Sequence, residues 1–201
     1  METNLTNKIA VVTGASRGIG LATVKALAAA GAFVIAGARH GSAELQALEE
    51  AGSATFVAAD LATADGPHAL VAAAAERGGI DVLVNNTGAV TPRFDGILSV
   101  TDDDWSEALA VNFLSAVRTT RDAIPHMLAR GGGSIVMIGS VNATLPEWNI
   151  VDYSATKAAQ LSLCEALRVE LAAERIAVTS VPRFCEMAIA ETRVRVGNSS
   201  G

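Results

Sequence analysis

Cysteine is scarce in this chain: two among 201 residues, Cys164 and Cys185, with no CxxC and no Cys/His cluster. That excludes a disulfide framework and a thiolate zinc site, and both thiols are expected unpaired in a reducing compartment. The histidines His40, His68 and His126 fall in separate segments without ligand spacing, so no metal is expected. Basic charge is in deficit, 15 Lys and Arg against 21 Asp and Glu for a net charge of -6, which argues against nucleic acid and anionic membranes as partners. No apolar run reaches the roughly 18 residues of a membrane span, and residues 1–8 lack the apolar stretch of a secretion signal. The expectation is a soluble, cytoplasmic protein with no membrane or nucleic-acid partner.

Aromatics are also few, 4% of a chain that is 50% hydrophobic. The core must therefore be built from Ala, Val, Leu and Ile, the usual filling between helices and a parallel sheet. Short apolar runs at 8–13, 32–37, 54–59, 80–85, 133–139 and 176–181 alternate with helix-sized segments. This pattern predicts an α/β fold: one domain over 1–181 with a doubly wound parallel sheet and helices on both faces. Residues 182–201 show neither period and are expected to form a divergent, disordered tail. Thr101 precedes Asp102, Asp103 and Asp104, a capping pattern that predicts a helix from there towards Arg130. A second long helix is predicted over 151–174, with Leu161, Cys164, Leu167 and Leu171 at helical spacing as its core face.

Two constellations carry chemistry. The segment Thr13-Gly-Ala-Ser-Arg-Gly-Ile-Gly20 leaves the first strand and enters a helix. Gly14, Gly18 and Gly20 permit close backbone approach, and the free amides of the helix start suit a phosphate. Its spacing differs from the commoner G-x-G-x-x-G. The second is Tyr153 and Lys157, four residues apart and so on one helix face. There the ammonium favours the phenolate and equips Tyr153 to give and take a proton. Ser140 closes a buried run at the carboxyl end of its strand, where ligands of open α/β sheets bind.

With Asn85-Asn86-Thr87-Gly88 and Asn112, these motifs resemble the short-chain dehydrogenase/reductase family over residues 8 to about 181. The resemblance implies a single-domain Rossmann fold and hydride transfer between NAD(P) and a carbonyl or secondary alcohol. It implies that Tyr153 is the general acid or base, and that Lys157 tunes it and binds the nicotinamide ribose. Ser140 then holds the substrate oxygen, and Asn112 holds a water that links the lysine to solvent. Ser16, Arg17 and Ile19 join the glycines in the cofactor turn. Asp60 and Leu61 address the adenine ring, and Asn86 and Gly88 line the adenine side and brace the sheet. Thr87 stands where the family usually has alanine. The resemblance also implies a homodimer through the helices starting near Thr101 and Val151.

The second strand ends Gly37-Ala38-Arg39, with no acid to grip a ribose 2′-hydroxyl. Arg39 and Arg17 instead suit a 2′-phosphate, so NADP is expected over NAD. Trp148, in the loop between Ser140 and Tyr153, is a candidate substrate contact, and Trp105 a packing residue of its helix. After Val181 the family pattern of Pro-Gly and a further strand gives way to Pro182-Arg183. That departure leaves the last strand and a tetramer in doubt, and it keeps two expectations open. One is an NADP-dependent reductase of a ketone or 3-oxoacyl substrate. The other is a catalytically impaired Rossmann module that binds nucleotide without turnover.

Overall fold

A computed structural model of the chain describes residues 4–183. Strands β1 (Ile9–Thr13), β2 (Phe33–Ala38), β3 (Ala54–Ala58), β4 (Val82–Asn85), β5 (Gly133–Ser140) and β6 (Ile176–Arg183) form one parallel sheet in the order β3-β2-β1-β4-β5-β6. The helices are α1 (Gly18–Ala29), α2 (Ala43–Glu50), α3 (Asp65–Glu76), α4 (Asp102–Leu109), α5 (Ser115–Ala129) and α6 (Val151–Glu170). This is the doubly wound arrangement expected, in a single domain. No helix among the described residues is long and apolar enough to cross a membrane.

Strand alternation divides the core in two. Ile9, Val11, Ile35, Leu83, Ile135 and Met137 face one side with Leu70, Ala123, Met127, Cys164 and Leu167 of α3, α5 and α6. Ala10, Val12, Val34, Ala36 and Val84 face the other with Leu21, Val24 and Leu45 of α1 and α2. The small strand residues on the second face let α1 and α2 approach closely. Beyond their reach, Val181 on β6 is 46% exposed.

The amino-terminal end of the sheet is closed by a charge cluster. Asp81 accepts from the Ile9 amide at 2.9 Å and pairs with Lys8 at 3.0 Å and Arg130 at 2.9 Å. Burial pushes its carboxyl up, but the hydrogen bonds from Arg130, Ile9 and Lys8 together win and hold it below the usual carboxylate range. The stability this contributes is present above the ordinary carboxylate pKa and is lost as pH falls through the depressed folded value.

Three expectations shift. The helix predicted from Thr101 does start there, capped by the Thr101 and Asp104 side chains. It is then interrupted by a π-helical turn at Ala110–Leu114, and Ser115 Oγ donates back to Val111 O at 2.6 Å, a bond of the kind that bends helices. Strand β6 continues through Pro182 and Arg183, because the eight-residue β5 offers ladder partners as far as Ser140. The strand thus ends two residues later than read, and residues 184–201, Cys185 among them, lie outside the described residues. On α6 the buried stripe is Tyr153, Lys157, Gln160, Cys164 and Leu167, leaving Leu161 only half-buried.

Candidate active site

The glycine turn is built by backbone proximity. Gly14 and Gly18 take left-handed φ values of 63° and 55°, which glycine adopts without strain. A Cβ on Gly20 would collide with Gly14 O and lie 2.5 Å from Asn86 Nδ2, so only glycine lets the helix start seat this close to the strand. Asn86 Nδ2 donates to Thr13 O at 3.0 Å and Gly14 O at 3.1 Å, and Thr13 Oγ1 accepts from the Asn86 and Thr87 amides at 2.8 and 3.0 Å. These bonds tie β1 to the segment after β4. Arg17 precedes α1 without a side-chain cap, so the first-turn amides of Gly18, Ile19 and Gly20 are left for an anion. Ser16 is half-buried, and Arg17, Gly18 and Ile19 are exposed. Nothing lies within 4 Å of where a Gly18 Cβ would be. A cradle of this shape, with open amides and no side chain in it, fits the pyrophosphate of a dinucleotide.

Arg39 follows β2 directly and is exposed. The pairing Thr13↔Gly37 and the Ala15 amide bond to Gly37 O at 3.0 Å set the Arg17 turn beside it. Asp60 caps the next turn through the Ala62 amide at 3.0 Å, while the Leu61 side chain is buried in the core. Leu61 therefore has only its backbone to offer a ligand.

The carboxyl end of β5 gathers the other candidates. Tyr153 and Lys157 are both buried, at 2% and 3% exposure, and Lys157 Nζ lies 5.9 Å from the Tyr153 ring centre. The Tyr153 hydroxyl is buried with no hydrogen-bond partner. Lys157 Nζ donates to Ile138 O at 3.1 Å and to Gln160 Oε1 at 2.9 Å. Both acceptors are neutral, and burial, followed by the nearby Arg183 charge, lowers the ammonium pKa to about 8. Ser140 Oγ donates to Asn142 Oδ1 at 3.0 Å and accepts from the Asn142 amide at 3.2 Å. Asn142 Nδ2 in turn reaches Leu145 O and Glu147 Oε1, each at 3.3 Å.

Asn112 lies in the π-helical turn, and its Oδ1 accepts from the Ala89 amide at 2.8 Å. It shares a cavity of about 30 Å³ with Tyr153, Asp152, Asp104 and Arg93, room enough for water among polar partners. Arg93 pairs with Asp104 at 2.8 Å and Asp152 at 3.6 Å. A Cβ on Gly88 would meet Asn112 Oδ1 at 3.1 Å and Lys157 Nζ at 3.5 Å, so this glycine abuts the lysine end of the cleft. Asn86 does brace the sheet, whereas the Thr87 hydroxyl is buried without a partner. Trp105 is half-buried and Trp148 is 51% exposed.

The sequence reading did not name Gln160, Asn142 or Arg93. Gln160 had a signal, since it is a polar residue three positions after Lys157 on a stripe that continues as Cys164 and Leu167. Asn142 and Arg93 had none, because their partners come together only in the fold.

A Rossmann-type sheet with a glycine cradle at one strand end and a buried Tyr/Lys pair at another defines a class of dinucleotide-binding α/β proteins. The chain belongs to the short chain dehydrogenase family, whose model matches residues 8–193. Dehydrogenase/reductase SDR family member 4 of Homo sapiens is 37% identical over 179 residues, covering 87% of this chain and 64% of that protein. The uncharacterized oxidoreductase YvrD of Bacillus subtilis is 35% identical over 184 residues, 90% of this chain and 69% of the relative. Among solved structures, L-sorbose reductase from Gluconobacter frateurii, complexed with NADPH and L-sorbose, superposes with a TM-score of 0.83 at 34% identity, covering 90% of this chain and 71% of that one. The chain thus spans 64% of the length of its human relative.

Proposed function

We propose that the protein is an NADP-dependent oxidoreductase acting between a ketone or 3-oxoacyl group and the corresponding secondary alcohol. The observation that carries this reading is the buried, unpartnered Tyr153 hydroxyl one helical turn before a buried lysine. A phenol left without a partner in the interior is costly, and a substrate oxygen satisfies it. The dinucleotide supplies the hydride when bound.

The remaining work falls to this chain's own side chains. In reduction Tyr153 gives its proton to the substrate oxygen, and in oxidation it takes that proton back. Lys157 favours the phenolate that results. An ammonium has three N–H donors, and two are used on Ile138 O and Gln160 Oε1, which leaves one for a ribose hydroxyl. Ser140 turns its proton from Asn142 Oδ1 to the substrate oxygen while the Asn142 amide still holds Oγ. Asn112 borders both Lys157, across Gly88, and the polar cavity, a placement suited to relaying a proton through water.

Gly14, Ser16, Gly18, Ile19 and Gly20 cradle the pyrophosphate, with Asp60, the Leu61 backbone and Asn86 toward the adenine. Arg17 and Arg39, with no acid at Ala38, select the 2′-phosphate. The NADPH bound in L-sorbose reductase supports the same choice. The proposed assembly is a homodimer through α4, α5 and α6, where Leu109 and Val169 are 39% and 73% exposed. The test pairs an NADPH binding titration with NADPH oxidation over a panel of ketones. Binding with carbonyl-dependent oxidation is expected, and binding without oxidation of any substrate would overturn the reading.

A further inference from the structure

We propose that Arg183 is a substrate-binding residue that gives the cleft an anion subsite, selecting carbonyl substrates that carry a carboxylate close to the reacting oxygen. The inference rests on the oxidoreductase reading for the location of that oxygen. The ladder between β5 and β6 ends on the pair Ser140↔Arg183, with Gly139↔Pro182 before it. Residues paired in a parallel ladder send their side chains to the same face, so the Arg183 side chain leaves the sheet on the side of Ser140. This is the face on which α1 and α2 pack, but at β6 beyond their reach, where Val181 two residues earlier is 46% exposed.

Arg183 is also unusual in its company. Among the described residues three arginines are half-buried, Arg93, Arg118 and Arg183. Arg93 pairs with Asp104 and Asp152, and Arg118 donates to Ala62 O at 2.8 Å. Among the described residues Arg183 has no ion pair and no acceptor. Its charge reaches another cation, Lys157, and with burial helps to lower that ammonium's pKa. Lys157 is anchored on Ile138 O, two residues before Ser140, and its own acceptors are neutral. Two cations thus stand at the carboxyl end of β5 and β6, neither paired with a carboxylate among the described residues, an arrangement that a bound anion relieves.

Which anion follows from distance and geometry. The glycine cradle ends β1, and β6 is three strands away in the sheet order, about 14 Å at the usual strand spacing. A pyrophosphate in the cradle is therefore not the ion beside Arg183. A guanidinium fork matches a carboxylate with two parallel hydrogen bonds. The substrate oxygen lies at Ser140, Arg183's ladder partner, so the carboxylate belongs one or two carbons from the carbonyl. The class is a 2- or 3-oxo acid.

The experiment compares acetoacetate with its ethyl ester, which removes the charge and keeps the ketone. NADPH oxidation is measured for the parent, Arg183→Gln and Arg183→Lys. Acetoacetate binding in the presence of NADP⁺, where no turnover occurs, is followed by ligand-observed NMR, and melting curves check that each variant folds. The parent is expected to favour the acid in kcat/KM by ten- to hundredfold, roughly the worth of charge-assisted hydrogen bonds. Arg183→Gln should erase that preference and weaken acid binding by a similar factor, and Arg183→Lys should restore part of both. Reduction of the ester with no advantage for the acid, or an advantage that survives in Arg183→Gln, overturns the subsite and leaves the oxidoreductase reading standing. Arg183-dependent binding of the acid without reduction of either compound upholds the subsite and overturns that reading. Absence of both binding and reduction overturns the two together.

Discussion

The two ends of the same sheet treat buried polarity in opposite ways. At the amino end, Asp81 is met by Lys8, Arg130 and the Ile9 amide, and the cluster ties the first strand to the domain. At the carboxyl end, Lys157 is buried against neutral acceptors only, and Tyr153 has no partner for its hydroxyl. The buried side-chain atoms without partners among the described residues belong to Asn85, Thr87, Arg93, Tyr153, Ser154 and Gln160. They lie in the last residue of β4, the loop after it, or the first three turns of α6. Unpaired buried groups cost stability, so this concentration marks the carboxyl end as organised for a ligand rather than for the fold alone.

Lys157→Met breaks the comparison most severely. Turnover should fall by at least about a thousandfold, and NADPH affinity should fall with it because the proposed ribose contact is lost. Stability should move the other way. The folded lysine gives up its proton near pH 8 while the unfolded one keeps it to 10.5, so the buried charge costs about 3 kcal/mol below pH 8. That cost fades as pH rises from 8 to 10.5. Denaturant melts should find the variant more stable than the parent at pH 7, with the gap closing across that window. A variant less stable at pH 7 would show that Lys157 is satisfied in the folded state.

Arg39→Asp separates the cofactor's two ends. The parent should bind NADPH more tightly than NADH, and the substitution should reverse the order, a swing on the order of a hundredfold in the affinity ratio. Equal affinities in the parent would remove the 2′-phosphate assignment.

Asp81→Asn is the counterpart at the amino end. It should cost about 2 kcal/mol in chemical denaturation and leave turnover per folded molecule within about twofold. A loss of turnover without a loss of stability would mean that the two ends are not separable. The smallest effect is expected for Thr87→Ala, which removes an unpaired buried hydroxyl. Stability without cofactor should rise by about 0.5–1 kcal/mol, and a fall would show that the hydroxyl has a use in the empty cleft.

What could be read from the chain followed the range of the interaction that sets each feature. Strand positions emerged to within two residues at every end because short apolar runs need only local pattern, and the doubly wound parallel sheet followed from strand–helix alternation. Gly14 to Gly20 and the Tyr153/Lys157 pair were visible because their spacing is itself the geometry. The π-helical turn was hidden because the Ala89 amide that Asn112 accepts from lies 23 residues away. The closeness of Gly88 to Asn112 and Lys157 was hidden for the same reason, since they arrive from two different helices. On α6 Cys164, Leu167 and Leu171 are buried as read, but Leu161 is not, and Gln160, the buried acceptor for Lys157, went unnoticed beside it.

The account rests most on Tyr153 as the group that moves the proton, and Tyr153→Phe removes that hydroxyl and little else. The decisive measurement follows NADPH binding and carbonyl-dependent NADPH oxidation in this variant and the parent, side by side in one buffer. Binding should stay within about threefold, since the phenol is proposed to meet the substrate, while oxidation should fall by at least about a thousandfold. Oxidation within tenfold of the parent would contradict the account.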